Sequence, residues 1–180
     1  MNWPAFARRV RVPLGFAFAV LYLWLAHPKW WSILAGAVIV APGLWLRALA
    51  AGHVRKSAEI TTSGPYAYTR NPLYFGSLIV TAGFGLAARN WLLALAMAMF
   101  FLLIYYPVIH WEEKYLHANF PEFAMYAAQV PRFLPQRRTA NTAAAAFSRE
   151  LYMRHREYNA LLGSAVVMAA LIIKLLWVNR

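Results

Sequence analysis

The chain has 180 residues, of which 62% are hydrophobic and 13% are charged, far from the charged quarter of a typical soluble domain. Its net charge of +12 would suit nucleic acid in a soluble protein, but beside long apolar segments it indicates contact with anionic lipid headgroups, so no nucleic acid is expected. Cysteine is absent, which excludes disulfide frameworks, thiolate metal sites and cysteine nucleophiles.

Five apolar segments have lengths close to the roughly 20 residues that cross a bilayer as a helix. They cover approximately residues 12–26, 30–46 with an extension towards 51, 73–88, 91–109 and 160–178. Tryptophans lie near several of their ends, where indole rings prefer the headgroup layer. The sequence therefore predicts an all-α, polytopic membrane protein with about five transmembrane helices, the last over about 158–178, in a single domain over residues 1–180.

The connections between these segments alternate between short and long. Residues 27–29 and 89–90 are short and predict tight antiparallel hairpins. Residues 52–71 and 110–157 are longer and carry all six acidic residues of the chain, every one a glutamate. An Ala-rich and then Arg-rich stretch before the last span predicts an interfacial helix. The polar chemistry is thus expected at one membrane face.

The distribution of basic residues predicts the orientation. Fourteen of the 18 Lys and Arg fall on the face that carries the N-terminus and the long connections; only Lys29, Arg89, Lys174 and Arg180 lie opposite or within the last span. Because basic residues favour the cytoplasmic side, we expect the N-terminus and the long connections in the cytoplasm. With five spans, the C-terminus lies on the opposite side.

The stretch SGPYAYTRNPLYFGS, residues 63–77, carries a polar turn into the third span. Pro72 keeps Asn71 out of helical geometry and suits the first position of a helix, which makes Asn71 the predicted N-cap. A helix start offers free N–H groups and partial positive charge, so it could bind a carboxylate or phosphate, with Arg70 as a bidentate partner. The alternative is that Asn71 only caps the helix and Arg70 only reaches the headgroups.

Two adjacent carboxylates, Glu112 and Glu113, follow the inner end of the fourth span. Ionisable residues at this depth indicate function and usually face a partner inside the bundle. Neighbouring helical residues point about 100 degrees apart, so one could meet a ligand cation while the other pairs with Arg70 or Arg132. Alternatively, both face water at the interface. His110 could relay a proton, whereas no convincing set of metal ligands is evident.

SGPYAYTRNPLYFG, followed by EEKYLHANF about 35 residues later and then by VPRFLP, resembles the isoprenylcysteine carboxyl methyltransferase family and its phospholipid N-methyltransferase relatives. The resemblance covers roughly residues 50–135. It implies a small helical membrane enzyme that uses S-adenosylmethionine, releases S-adenosylhomocysteine and binds the cofactor in its cytoplasmic loops. The implied acceptor is lipophilic, either an isoprenylcysteine-like carboxylate or a phospholipid amine, and membrane lipids are the expected partners.

Carried over position by position, the resemblance implies ten cofactor-binding residues: Ile60, Thr61, Tyr66, Arg70, Asn71, Pro72, Leu73, Tyr74, Glu112 and Glu113. The cofactor carboxylate would suit the helix start and Arg70, and its cationic groups would suit a glutamate and aromatic faces. Catalytic roles are expected for Arg70, Glu113 and His110, the latter two as candidate bases for an amine acceptor. No metal is expected.

The chain departs from the family pattern at three places. Asn71 stands where the family has histidine, which removes titration near neutral pH but keeps a hydrogen-bonding side chain. Val108 replaces an arginine that carboxyl-methylating members carry, which favours an amine over a carboxylate acceptor. Phe120 and Pro121 replace Phe-Gly, with one residue fewer before Tyr126, so a different cap over the cofactor is expected.

Two other classes of function remain open from the sequence. A membrane reductase of the steroid-reductase type would use NADPH, but no glycine-rich phosphate loop is evident. A non-catalytic lipid-binding membrane scaffold could also retain this fold, and the departures at Asn71 and Val108 favour it. The sequence does not determine the oligomeric state.

Overall fold

The computed structural model describes residues 15, 17–55, 59–136 and 146–178, which form helices and their connections. Within these ranges no strand occurs, and the predicted all-α class is confirmed. The helices are α1 (residues 17–25), α2 (Trp30–Ala51), α3 (Pro72–Ala88), α4 (Trp91–Phe100), α5 (Tyr106–Asn119), α6 (Phe123–Gln129), α7 (Arg149–Arg154) and α8 (Tyr158–Val178). A 3-10 turn, Gly64–Ala67, precedes α3, and a π-helical turn, Phe101–Tyr105, joins α4 to α5.

Three of these helical units are long and apolar enough to cross a membrane: Trp30–Ala51, Trp91–Asn119 and Tyr158–Trp177. Helix α3 is equally apolar in character but has only 17 residues. The predicted first span, residues 12–26, begins outside the described residues, and its described part is α1. The chain is therefore a polytopic, integral membrane protein.

The fourth predicted span differs in length from the sequence expectation. The sequence predicts that residues 110–119 begin a long connection, and this prediction is wrong because α5 continues to Asn119. Hydropathy marks only the part of a helix that lies in lipid, and the polar residues that follow are compatible with a helix. The 29-residue unit is about 43 Å long against about 30 Å of hydrocarbon, so its polar end extends beyond the bilayer core.

Helices α2 and α3 are antiparallel and pack through glycines that lie opposite each other. A Cβ atom at Gly36 would lie 2.7 Å from the Gly83 carbonyl oxygen, and one at Gly83 would lie 2.8 Å from that of Gly36. Gly43 and Gly76 make the same reciprocal contact one heptad further along, at 2.9 and 2.8 Å. The two backbones therefore touch directly, as small residues allow in membrane helices.

At the end of the bundle that carries the short connections, hydrogen bonds join α1 and α2 to the last carbonyls of α3. Tyr22 of α1 donates to the Phe84 carbonyl at 2.8 Å, and Ser32 of α2 donates to the Ala87 carbonyl at 3.1 Å. From α8, Leu171 and Leu175 are buried in the same core. The main apolar core therefore lies towards this end, away from the polar sequence motifs.

The opposite end is tied together by Arg47 of α2, a contact that the sequence did not predict. Its Nε lies 2.6 Å from Glu157 Oε1, just before α8, and its guanidinium also donates to the hydroxyl of Ser77 on α3. Both charged side chains are largely buried, so removal of either one would leave an uncompensated charge. Arg47 thereby fixes α2, α3 and α8 relative to one another.

We expect Gly36→Ala to destabilise the bundle by about 1–3 kcal/mol, because the added methyl group meets the α3 backbone rather than a side chain that can move. Gly163→Ala on α8 is the matched control, since its Cβ would meet nothing within 4 Å. Thermal unfolding in detergent micelles measures both. Equal melting temperatures for the two variants would contradict the glycine contact.

Candidate functional site

The start of α3 and the acidic face of α5 meet at a hydrogen bond. Asn71 Nδ2 donates to Glu113 Oε1 at 2.8 Å, although the two residues are 42 positions apart in the chain. Both residues are buried, with 8% and 7% of their surface exposed. The two sequence motifs therefore lie at the same end of the bundle and in direct contact.

Glu113 also lies between two arginines. Arg132 Nε donates to Glu113 Oε2 at 2.8 Å, and Arg70 Nε lies 3.5 Å from Oε1 in an ion pair. The Arg70 Nε atom is buried and has no hydrogen-bond partner among the described residues. Glu113 thus pairs with both Arg70 and Arg132, which the sequence offered as alternative partners. The two positive charges compensate the burial of its carboxylate.

Residues 130–136, here called the cover segment, lie across the turn that precedes α3. Arg70 donates its backbone N–H to the Pro131 carbonyl at 2.9 Å, and Gln136 donates to the Tyr68 carbonyl at 3.1 Å. The Thr69 hydroxyl lies within hydrogen-bond distance of the carbonyls of Arg132 and Phe133. The cover segment is therefore held by backbone contacts as well as by the Glu113 ion pairs.

Asn71 stands at the predicted N-cap position, but its side chain does not cap α3. Nδ2 donates instead to Glu113 Oε1 and, at 3.1 Å, to the Arg132 carbonyl. A cap would need Asn71 Oδ1 to accept from an N–H of the first turn, but the amide is oriented by its Nδ2 donor, because a buried donor requires a partner and a carboxylate is a strong acceptor. The N–H groups at the start of α3 are consequently not covered by the Asn71 side chain.

Glu112 has different surroundings from Glu113, as expected for neighbouring helical residues. It is partly buried, and its Oε1 accepts a hydrogen bond of 3.0 Å from the Tyr74 hydroxyl. The Tyr74 ring makes an edge contact with the Tyr105 ring, at a centroid distance of 5.9 Å. Glu112 is thus a carboxylate beside an aromatic cluster, without a cationic partner among the ion pairs of the described residues.

The aromatic cluster lies at the π-helical turn that precedes α5. Tyr105 stacks on Phe101 with a centroid distance of 5.2 Å, and Phe101 makes an edge contact with Phe133 of the cover segment. Pro107 has no N–H to donate, which favours an irregular turn at this point of the helix. Val108 is only 1% exposed and forms a buried cluster with Ile104, against which Tyr74 and Tyr105 pack.

Tyr66 is buried in the 3-10 turn, and its carbonyl accepts a hydrogen bond of 2.8 Å from the Tyr126 hydroxyl on α6. Burial raises the pKa of both phenols, so they remain protonated at neutral pH. The turn begins at Gly64, whose φ of +57° favours glycine and whose Cα approaches His53 too closely for a side chain. The turn is therefore fixed against the end of α2.

The other predicted site residues occupy varied positions. Pro72 is buried and Leu73 half-buried in the first turn of α3, and Ile60 and Thr61 are half-buried before the 3-10 turn. His110, in contrast, is exposed on α5 and does not share the buried position of Glu113. In the described ranges no group of three His, Asp or Glu side chains could hold a metal ion.

Sequence reasoning missed two residues that shape this site. Thr69 is 1% exposed and joins the turn to the cover segment, but a threonine before an arginine carries no sequence signal of its own. Phe123 of α6 lies beneath the Arg70 guanidinium, 5.9 Å from ring centroid to Cζ. Its position depends on how α6 folds back towards α5, which periodicity does not predict.

The family model of phospholipid methyltransferases matches residues 31–122, just over half of the chain. The nickel-cobalt-cadmium resistance protein NccN of Alcaligenes xylosoxydans xylosoxydans is 40% identical over 93 residues, which are 52% of this chain and 43% of that protein. The cobalt-zinc-cadmium resistance protein CzcN of Cupriavidus metallidurans is 31% identical over 137 residues, 70% of this chain and 62% of that protein.

The chain thus spans about half the length of these curated relatives, between 43% and 62%. No solved structure matches it.

We expect Glu113→Gln to loosen the cover segment while the bundle stays folded, because Arg70 and Arg132 lose their shared counter-charge. Trypsin cleavage after Arg132 and amide exchange over residues 130–136 should accelerate about tenfold or more. Glu122→Gln removes an exposed carboxylate nearby and is the control. Unchanged protection in Glu113→Gln would show that the backbone contacts alone hold the cover segment.

Proposed function

Since the chain belongs to the phospholipid methyltransferase family, we propose that it is a membrane methyltransferase that uses S-adenosylmethionine to methylate a lipophilic acceptor. The observation that carries this proposal is the contact of Asn71 with Glu113. This contact places the start of α3, which could bind an anion, next to the acidic face of α5 at one end of the bundle. S-adenosylmethionine carries a carboxylate and two cationic groups, which match these two features.

The cofactor carboxylate would bind at the start of α3. The Asn71 side chain does not cap this helix start, which carries the partial positive charge of the helix, and Pro72 provides no N–H there. Arg70 is mostly buried, with 14% of its side chain exposed, and its guanidinium lies over the Phe123 ring. Arg70 Nε makes an ion pair of 3.5 Å with Glu113 but no hydrogen bond, which leaves the guanidinium with donors for an anion and supports a role in which Arg70 meets one.

The cationic groups of the cofactor would bind near Glu112. Glu113 already faces two arginines, so a third cation beside it gains less electrostatic stabilisation. Glu112 accepts a hydrogen bond from the neutral Tyr74 phenol and borders aromatic rings, which attract cations through their faces. We therefore assign cation binding to Glu112 and a positioning role to Glu113. A catalytic role for Glu113 itself stays a prediction.

When bound, S-adenosylmethionine supplies a methyl group on a sulfonium: the acceptor forms the new bond to carbon as the carbon–sulfur bond breaks. The protein's part is to align the acceptor with that bond and to exclude water. The cover segment, packed through Phe133 on Phe101 and Phe75, would exclude water from this end of the bundle. An ammonium acceptor must first lose a proton, for which Glu112 is the candidate base. A catalytic role for the exposed His110 stays a prediction.

We propose an amine rather than a carboxylate as the acceptor group. Val108, at the position where carboxyl-methylating proteins of this kind carry an arginine, is buried among aromatic and apolar side chains. No cation beside Val108 on α5 stands in place of that arginine, whereas the Glu112 carboxylate and the Tyr74 and Tyr105 rings lie at this end of α5. Such surroundings favour an amine headgroup over an anion.

We further propose that the site faces the cytoplasm. Eight described basic residues lie at the end of the bundle that carries the site, and three lie at the other end. The eight are Arg47, Arg55, Arg70, Lys114, Arg132, Arg149, Arg154 and Arg156, and the three are Lys29, Arg89 and Lys174. The positive-inside rule then assigns the site to the side on which S-adenosylmethionine is made available.

Cofactor binding is tested by isothermal titration of the purified protein with S-adenosylhomocysteine. We expect Arg70→Ala and Glu112→Gln each to weaken binding by about tenfold or more, because each loses a charge-assisted contact. Glu122→Gln should bind as the parent protein does. Absence of binding to the parent protein at millimolar ligand would refute the proposal, and preferential binding of NADPH would favour a reductase.

The acceptor is tested by mass spectrometry of lipids incubated with the protein and isotope-labelled S-adenosylmethionine. We expect label in an amine-bearing phospholipid, and we expect an isoprenylcysteine carboxylate to remain unlabelled. Label in the carboxylate substrate alone would refute the assignment of the acceptor but not of the cofactor. Cofactor binding without any labelled product from native lipids would favour a non-catalytic lipid-binding protein.

A further inference from the structure

The end of the bundle opposite to the candidate site contains a cavity of about 640 Å³. The connection between α1 and α2, the first residues of α2, the residue after α3 and the last turns of α8 surround it. Its lining residues are Ala26, His27, Pro28, Lys29, Trp30, Trp31, Arg89, Lys174 and Leu175. Helices α2, α3 and α8 begin or end here, so the cavity lies at the level of the headgroups.

The cavity collects positive charge that no glutamate offsets. Lys29, Arg89 and Lys174 line it, and they are three of only four Lys and Arg that the sequence assigns to this face. All six glutamates of the chain belong to the connections and helix ends of the other face, and aspartate is absent. Three cations without a side-chain counter-charge repel one another, and a bound anion would lower the electrostatic free energy of this repulsion.

Two of these cations are held in place by neighbouring groups. The Arg89 guanidinium lies over the Trp31 ring at 5.3 Å from its centroid. Lys174 Nζ donates to the carbonyls of Leu23 and Trp24, each at 2.7 Å, and so holds the last turn of α1. An ammonium has three donors, which leaves one to face a ligand. Arg89 and Lys174 are thus held at the cavity by contacts within the protein.

The surroundings indicate which anion fits. Trp30 and Trp31 are about half exposed, as indole rings are at a membrane interface, while Ala26 and Leu175 are buried and give the cavity an apolar wall. We propose that this cavity binds the phosphate headgroup of an anionic phospholipid in the leaflet opposite to the candidate methyl-transfer site. A zwitterionic lipid fits less well, because no glutamate at this face can pair with its ammonium group.

The test uses native mass spectrometry of the protein released from vesicles that contain equal amounts of phosphatidylglycerol and phosphatidylethanolamine. The variant is Lys29→Gln combined with Arg89→Asn, since asparagine tolerates the φ of +50° at position 89. Lys174 is left unchanged because it also holds α1. Arg149→Gln combined with Arg154→Gln removes the same charge from exposed positions on α7 and is the matched control.

We expect the parent protein and the control to retain phosphatidylglycerol in preference to phosphatidylethanolamine. The Lys29/Arg89 variant should lose about 25-fold in phosphatidylglycerol affinity, at about fivefold for each cation near a charged headgroup. If melting shows that this variant does not fold, Lys29→Gln alone changes one exposed side chain and should lose about fivefold.

Three results would overturn the proposal. Equal retention of phosphatidylglycerol by the parent protein and the Lys29/Arg89 variant would show that the cavity does not bind it. An equal loss in the α7 control would show that only net charge matters. Displacement of phosphatidylglycerol by millimolar inorganic phosphate would show that the cavity takes a free anion rather than a lipid.

Discussion

The polar end of this protein depends on one buried carboxylate. Glu113 joins the start of α3 through Asn71, the preceding turn through Arg70 and the cover segment through Arg132. A buried charge is tolerated only with partners of this kind, so the three segments have to assemble together around it. Arg70 and the start of α3 are thereby held in place, and the hydrogen bonds and ion pairs of Glu113 are made within the protein.

The two ends of the bundle are stabilised by different interactions. At the end with the short connections, α2 packs on α3 through direct backbone contact at Gly36 and Gly83. Hydrogen bonds from α1 and α2 to the last carbonyls of α3 add to this packing. Ion pairs around Arg47 and Glu113 join the other end. Tight glycine packing resists local movement, whereas we expect a cover segment held by ion pairs and a few hydrogen bonds to open at a lower free energy than the bundle unfolds. This difference would suit the proposed methyl-transfer site, which would have to admit a cofactor and release its product.

The sequence predicted much of the candidate site because its residues occur in short motifs. Arg70, Asn71 and Pro72 are contiguous, and Glu112 and Glu113 are adjacent, so their shared membrane face followed from counting spans. The different contacts of Glu112 and Glu113 did not follow from the sequence. They depend on the rotation of α5 after the π-helical turn and on the path of the cover segment, both of which arise from contacts between residues distant in the chain.

By itself, the sequence determined that this is an all-α membrane protein with its acidic residues at one face, because hydropathy and charge follow composition along the chain. It also determined the family through the order and spacing of its motifs. Only the tertiary structure decided that Asn71 donates to Glu113 instead of capping α3, that α5 continues past the membrane, and that Arg47 pairs with Glu157. Hydrogen bonds and ion pairs form between side chains brought together by packing, and no local pattern specifies which partners they find.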